Sequence, residues 1–288
     1  MKLGIFCLPP TIKNFFEAVD FAKENGLAGL EPYPIHEFAR PDKKAVQAAE
    51  ALATYARENG VALPCFSIGI DIVSEAKRKE NIETLKRYAD VAAAMGVPFL
   101  HHTILPTLSH TGGKEPFHKL LKRAVAGIRE VYDYAASVGV KTVCEDQGFV
   151  FNGCERFEML LSSVDRDIGV VADLGNILFV EEEAASFVGR FAAQIVHVHV
   201  KDYLCKSGGM PFPGEEWYET RQGNFLRGTI VGHGVVDFVT VLRILRSAGF
   251  QGFYCLEYEG LEEPVSAIQK SIRNFTRYYE DAQTMIYR

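Results

Sequence analysis

The feature that most limits how this chain can fold is a repeated stop. Five times an amphipathic stretch ends in a glycine that leads straight into an apolar run: Glu24-Asn25-Gly26-Leu27, Glu58-Asn59-Gly60-Val61, Ala94-Met95-Gly96-Val97, Ser137-Val138-Gly139-Val140 and Ser247-Ala248-Gly249-Phe250. The first four glycines lie 34, 36 and 43 residues apart. Glycine takes a left-handed conformation at no steric cost and so closes the last turn of a helix. The run after each glycine has the composition of a strand, so the chain counts off helix-then-strand units. A helical solenoid has similar periods but no apolar strand after each stop.

Eight such runs can be named: Leu3–Cys7, Gly29–Glu31, Ala62–Ser67, Pro98–His102, Thr142–Glu145, Gly169–Asp173, Ile195–His199 and Phe253–Glu257. They are apolar almost throughout, as strands covered on both faces of a parallel sheet must be. The stretches between them carry one apolar stripe, clearest at Val265, Ile268, Ile272, Phe275 and Tyr279. Eight units in 288 residues predict an α/β fold, a closed (β/α)8 TIM barrel occupying residues 1–288 as a single domain. An open dinucleotide-binding sheet would place GxGxxG after the first strand, and none is there. One interval is too long for a connection. Residues 203–230 form an insertion after the seventh strand, read as a lid over the barrel mouth or as a contact in a homo-oligomer. The single tryptophan, Trp217, favours the lid and a contact with substrate.

With 37 acids against 31 bases the net charge is −6, which offers no electrostatic footprint for a polyanion; nucleic acid is not an expected partner. No apolar run approaches the ~20 residues that span a bilayer, and Met1–Leu8 meets Pro9 and Pro10 too soon for a secretory signal, so a cytoplasmic protein without membrane partners is expected. The six cysteines show no CxxC pairing, and most read as small core residues.

In a barrel, chemistry belongs at the last residues of the strands. The fifth to eighth strands end in Glu145, Asp173, His199 and Glu257. An isolated acid at a strand end is ordinarily a rim residue or a helix cap. Four on adjacent strands converge, and like charges that close raise one another's pKa unless a cation lies between them. Three carboxylates and one imidazole make a mostly oxygen site for a divalent metal, with Mn²⁺ favoured over Zn²⁺, Co²⁺, Fe²⁺ or Mg²⁺.

Five segments carry a resemblance to a known family: Cys144-Glu145-Asp146-Gln147-Gly148, Ala172-Asp173-Leu174-Gly175-Asn176, His197-Val198-His199-Val200-Lys201-Asp202, Gly232-His233-Gly234-Val235-Val236-Asp237-Phe238 and Leu256-Glu257. Across all eight units the chain resembles the sugar phosphate isomerase/epimerase superfamily, the xylose isomerase-like barrels. The resemblance implies Glu145, Asp173, His199 and Glu257 as metal ligands, with Glu145 and Glu257 also as the catalytic acid/base pair. It implies an isomerase or epimerase of a keto sugar or small keto-polyol that removes a proton next to the carbonyl through a metal-stabilised enediolate. An inosose-dehydratase-like lyase would use the same site. A non-catalytic sugar-binding barrel would keep the fold without needing both glutamates. An endonuclease IV-like enzyme would need a D-x-H triplet before the last strand, where Asn224-Phe225-Leu226-Arg227-Gly228 stands. Epimerases of the tagatose type carry a second glutamate and an arginine where this chain has Phe149-Val150-Phe151 and Tyr203-Leu204-Cys205, so the substrate stays open.

Further residues are candidates for binding substrate. One of His101 and His102 should face the mouth and hold a sugar hydroxyl. Asn176 stands where related epimerases place a substrate-binding histidine. Lys201 shares strand parity with His199 and either reaches a sugar oxygen or pairs with an acid such as Asp202. His197 lies one layer deeper and reads as a core histidine. Glu31 caps its loop or touches ligand, and His233 reads as a loop residue near the mouth. No P-loop or glycine-rich turn leads into a helix after the last two strands, so a free sugar is expected rather than a sugar phosphate.

Overall fold

Eight parallel strands ring the centre of the molecule in the computed structural model, which describes residues 1–109 and 115–284. The first seven are β1 (Leu3–Ile5), β2 (Gly29–Leu30), β3 (Phe66–Ile68), β4 (Phe99–His102), β5 (Lys141–Glu145), β6 (Gly169–Asp173) and β7 (Ile195–Val200). Three strands of a separate sheet follow, β8 (Asp202–Lys206), β9 (Tyr218–Glu219) and β10 (Phe225–Thr229), before the ring is completed by β11 (Phe253–Leu256). The spatial order β2-β1-β11-β7-β6-β5-β4-β3 is the chain order wrapped into a circle. Its seam is bridged between Gly29 and Ala62, and the Ser67 N–H donates to the Pro32 carbonyl. The expected (β/α)8 barrel is the fold found.

Eight α-helices surround it among the described residues: α1 (Phe15–Glu24), α2 (Lys43–Glu58), α3 (Arg78–Met95), α4 (Phe117–Ser137), α5 (Cys154–Val164), α6 (Ala184–Phe191), α7 (Phe238–Ser247) and α8 (Pro264–Thr284). Asn14, Asp42 and Asp237 open three of them by accepting backbone N–H groups of the first turn. Gly26, Gly60, Gly96, Gly139 and Gly249 all have φ between 69° and 85°. A Cβ at any of the five would meet nothing within 4 Å, so the glycines are there for conformation and not for space. The fifth helix ends instead on Asp165, which takes φ 53° itself, and α6 closes on Ala192 in a right-handed conformation. Those two helices therefore end without a stop glycine.

Strand side chains alternate between two faces. Leu100, Cys144, Val170, Ala172 and Val198 point outward into the large apolar layer between sheet and helices. The opposite face fills the barrel: Cys65, Val143 and Val171, with Phe99 and Val196 against them, form a small cluster of their own. Two residues further along the same strands the interior becomes polar.

The segment expected as a loop or lid is an ordered antiparallel sheet, β8-β10-β9. Asp202 holds both of its ends. The carboxylate accepts N–H groups from Tyr203 and Val236 on Oδ1, at 3.0 and 3.2 Å, and from Gly232 and Gly234 on Oδ2, both at 2.8 Å. A Cβ on Gly234 would stand 2.2 Å from Asp202 Oδ1, so only glycine fits there. Among the described residues no helix is long and apolar enough to cross a membrane.

Candidate metal centre at the barrel mouth

The four strand-end residues meet. One donor atom from each of Glu145, Asp173, His199 and Glu257 lies within 4.8 Å of all the others, and every one of these side chains is buried. His199 Nδ1 is the hub, 2.6 Å from Glu145 Oε1, 3.6 Å from Glu257 Oε2 and 3.8 Å from Asp173 Oδ2. Because β7 and β6 lie between β11 and β5, Glu257 and Glu145 approach from opposite flanks.

Local sequence aims each group. Asp173 Oδ1 accepts the N–H groups of Gly175 and Asn176, both at 2.8 Å, which turns Oδ2 toward the cluster. The Asp173 N–H in turn donates to Asp146 Oδ1. His199 Nε2 meets Glu31 Oε1 at 3.0 Å on the side away from the cluster, a second-layer carboxylate of the kind that orients a metal-binding histidine.

Asp173 Oδ2 and Glu257 Oε2 are buried against the Lys201 ammonium, whose Nζ stands 2.9 and 3.1 Å from them and pairs with both. Burial pushes Glu257 well above the usual carboxylate range, with Asp173 and Glu259 adding to the rise against the pull of Lys201. Burial raises Glu145 as well. Asp173 goes down: burial is outweighed by Lys201 and His199. Three crowded, buried carboxylates around one imidazole nitrogen are the donor set of a divalent cation, so these four residues fit such an ion. Two other groupings of ligating side chains, Glu31 with His101 and His199, and Glu31 with His197 and Cys255, are deeper. In both, Glu31 is already engaged by histidines.

Beside the cluster a cavity of ≈ 380 Å³ opens at the mouth, with Asn176, Lys201, Tyr203, Tyr218 and Glu259 in its wall. Among the expected substrate-binding residues, Asn176 and Lys201 are therefore brought together here, and Asn176 Nδ2 has no hydrogen-bond partner among the described residues. Lys201 pairs with Asp173 and Glu257 and not with Asp202, whose carboxylate is taken by backbone N–H groups. His101 points inward, its Nε2 3.5 Å from Glu145 Oε2. Its neighbour His102 is turned to the outer face by strand alternation, Nδ1 against the Thr103 carbonyl, and is not part of the cluster. Trp217 does not line the cavity. It lies between Lys206 Nζ and Arg227, 5.0 and 5.4 Å from its ring, while the next residue, Tyr218 at the start of β9, reaches the mouth. His233 is exposed, and His197 is buried against Glu31 as a core histidine. Sequence reasoning passed over Asp146, Tyr203, Tyr218 and Glu259. Asp146 and Glu259 lie one and two residues from a ligand candidate, which was a usable signal.

Residues 19–278 match the family described as the xylose isomerase-like TIM barrel. The inosose dehydratase of Bacillus thuringiensis (strain Al Hakam) is 26% identical over 140 residues, 46% of this chain and 41% of that protein, so the chain spans less than half of that relative's length. E. coli 3-keto-D-glucoside 4-epimerase shares the fold with a TM-score of 0.74 at 18% identity, covering 96% of this chain and 99% of that one. The IOLI protein, crystallised with a zinc atom, does so with a TM-score of 0.76 at 18% identity over 99% and 100% of the two chains.

Proposed function

The chain belongs to the xylose isomerase-like TIM-barrel family, and from that premise we propose that it is a divalent-metal-dependent isomerase or epimerase that moves a proton next to the carbonyl of a keto sugar or small keto-polyol. The observation that carries this reading is the pair of glutamates, Glu145 and Glu257, flanking one shared donor set beside a cavity of sugar size whose wall includes Lys201 and Asn176. Held by Glu145, Asp173, His199 and Glu257, an ion such as Mn²⁺ would serve as a Lewis acid toward the carbonyl oxygen and the neighbouring hydroxyl, lowering the cost of the charge left when the proton departs. Glu145 takes the proton from carbon on one face and Glu257 returns one on the other; burial raises the pKa of both carboxyls, which suits groups that hold and release protons. Lys201 Nζ and Asn176 Nδ2 supply donors for substrate oxygens, and His101 stands next to Glu145 to hold a hydroxyl.

A second reading is favoured by the curated relative, an inosose dehydratase. Such a lyase would begin with the same proton abstraction, after which Glu257 would protonate a departing hydroxyl instead of carbon. Metal analysis of the purified protein, followed by a screen of keto sugars and inososes in deuterated water, tests both. Deuterium at the carbon beside the carbonyl of a recovered sugar is the expected result for the isomerase or epimerase. Loss of water with a new conjugated ultraviolet absorbance selects the lyase. A protein that takes up no divalent ion overturns both.

A further inference from the structure

A carboxylate accepts hydrogen bonds and donates none. Glu31, one residue past β2 and fully buried, is met by three groups that can donate: His197 Nε2 at 2.6 Å on Oε2, His199 Nε2 at 3.0 Å on Oε1, and the Ser67 hydroxyl, also on Oε1. Proton positions follow from this convergence. With a cation held by the cluster, His199 keeps its proton on Nε2, toward Glu31, and turns its Nδ1 lone pair to Glu145, Asp173 and Glu257; without one, Nδ1 stands 2.6 Å from Glu145 Oε1 and donates to it as well. Ser67 has a single hydrogen and gives it to Glu31. Toward His101 Nδ1, 2.9 Å away, Ser67 can then only accept, so His101 carries its proton on Nδ1. A neutral His101 therefore offers an unprotonated Nε2, which has no hydrogen-bond partner among the described residues, on the side of the candidate metal centre, 3.5 Å from Glu145 Oε2.

We propose that Glu31 is a positioning residue that sets two histidine tautomers at once, presenting Nδ1 of His199 to the metal and, through Ser67, Nε2 of His101 as an acceptor for a substrate hydroxyl. The opposite tautomer of His101 would donate, and would select a carbonyl or carboxylate oxygen at that point of the mouth. One side chain on the second strand thus decides what kind of group the fourth strand can read. The His199 half rests on the metal reading proposed above; the His101 half does not.

Ring ¹⁵N shifts of the wild-type protein, without metal and loaded with Zn²⁺, read the tautomers directly. The expected result is Nδ1–H at His101 in both forms and Nδ1-bound metal at His199 in the second. Glu31→Gln should weaken Mn²⁺ binding by about 10–100-fold in competition dialysis, with circular dichroism confirming the fold. Ser67→Ala should leave Mn²⁺ binding unchanged while His101 begins to populate Nε2–H. Nε2–H at His101 in the wild type, or Mn²⁺ binding unaffected by Glu31→Gln, overturns the proposal. Should the Glu31 variant not fold, the wild-type and Ser67→Ala shifts still decide the matter. A wild type that takes up no metal removes the reading of the metal centre, and the metal-free His101 tautomer then stands as its own test.

Discussion

On five strands a single step of two residues separates an apolar or weakly polar interior position from a polar one: Cys65 from Ser67, Phe99 from His101, Val143 from Glu145, Val171 from Asp173 and Cys255 from Glu257. The lower positions are filled mainly by apolar packing, as in the cluster of Cys65, Val143 and Val171. The upper ones are polar, and three of them, Glu145, Asp173 and Glu257, are carboxylates crowded around His199. The same alternation presents both, so the difference lies in the last inward residue of each strand. The lower layer contributes folding free energy through packing, and the upper layer holds electrostatic cost that a bound cation would relieve.

The sharpest way to break this comparison is at the upper layer. Glu145→Gln or Glu257→Gln should lower turnover by about 10²–10⁴-fold, while the melting temperature of the metal-free variants stays at or above that of the wild type, because a crowded carboxylate has been removed. Turnover and melting temperature that fell together would mean that the two layers are not separable. One step down the same strand, Val143→Ala should cost about 2 kcal/mol of stability, from lost transfer energy and the cavity left behind, measured by urea unfolding with Mn²⁺ uptake unchanged. Outside the ring, Asp202→Asn leaves part of the four-fold N–H cradle without an acceptor and should cost about 1 kcal/mol, again without changing Mn²⁺ uptake.

Those parts of the molecule that answer to a local rule were legible. The helix stops were readable because a left-handed residue is a local demand that glycine meets, and the metal-ligand candidates because four consecutive strands end alike. Where Asp165 takes the left-handed position, the signal vanished. Glu31 was not readable as an organiser, since its strand pairs over only two residues and its histidine partners are 166 and 168 residues away. Tyr218 shows a finer limit. On a strand of two residues, parity is set by pairing with Phe225 and Leu226, which the sequence does not announce, and the tyrosine faces the mouth. The same parity rule sends His101 inward and His102 outward once the register against Ser67 and Ile68 is known.

The grip of Asp202 on both Tyr203 and Val236 has an evolutionary consequence. Because the two ends of that excursion are tied at one carboxylate, the chain between them is a cassette in a socket. Doubling its length would add only about 0.6 kcal/mol of closure entropy. Tyr203 and Tyr218 in the wall of the mouth both belong to it. Lineages built on this barrel can therefore trade one wall of the mouth for another, and so one clientele of small molecules for another, without disturbing the ring of strand ends beneath.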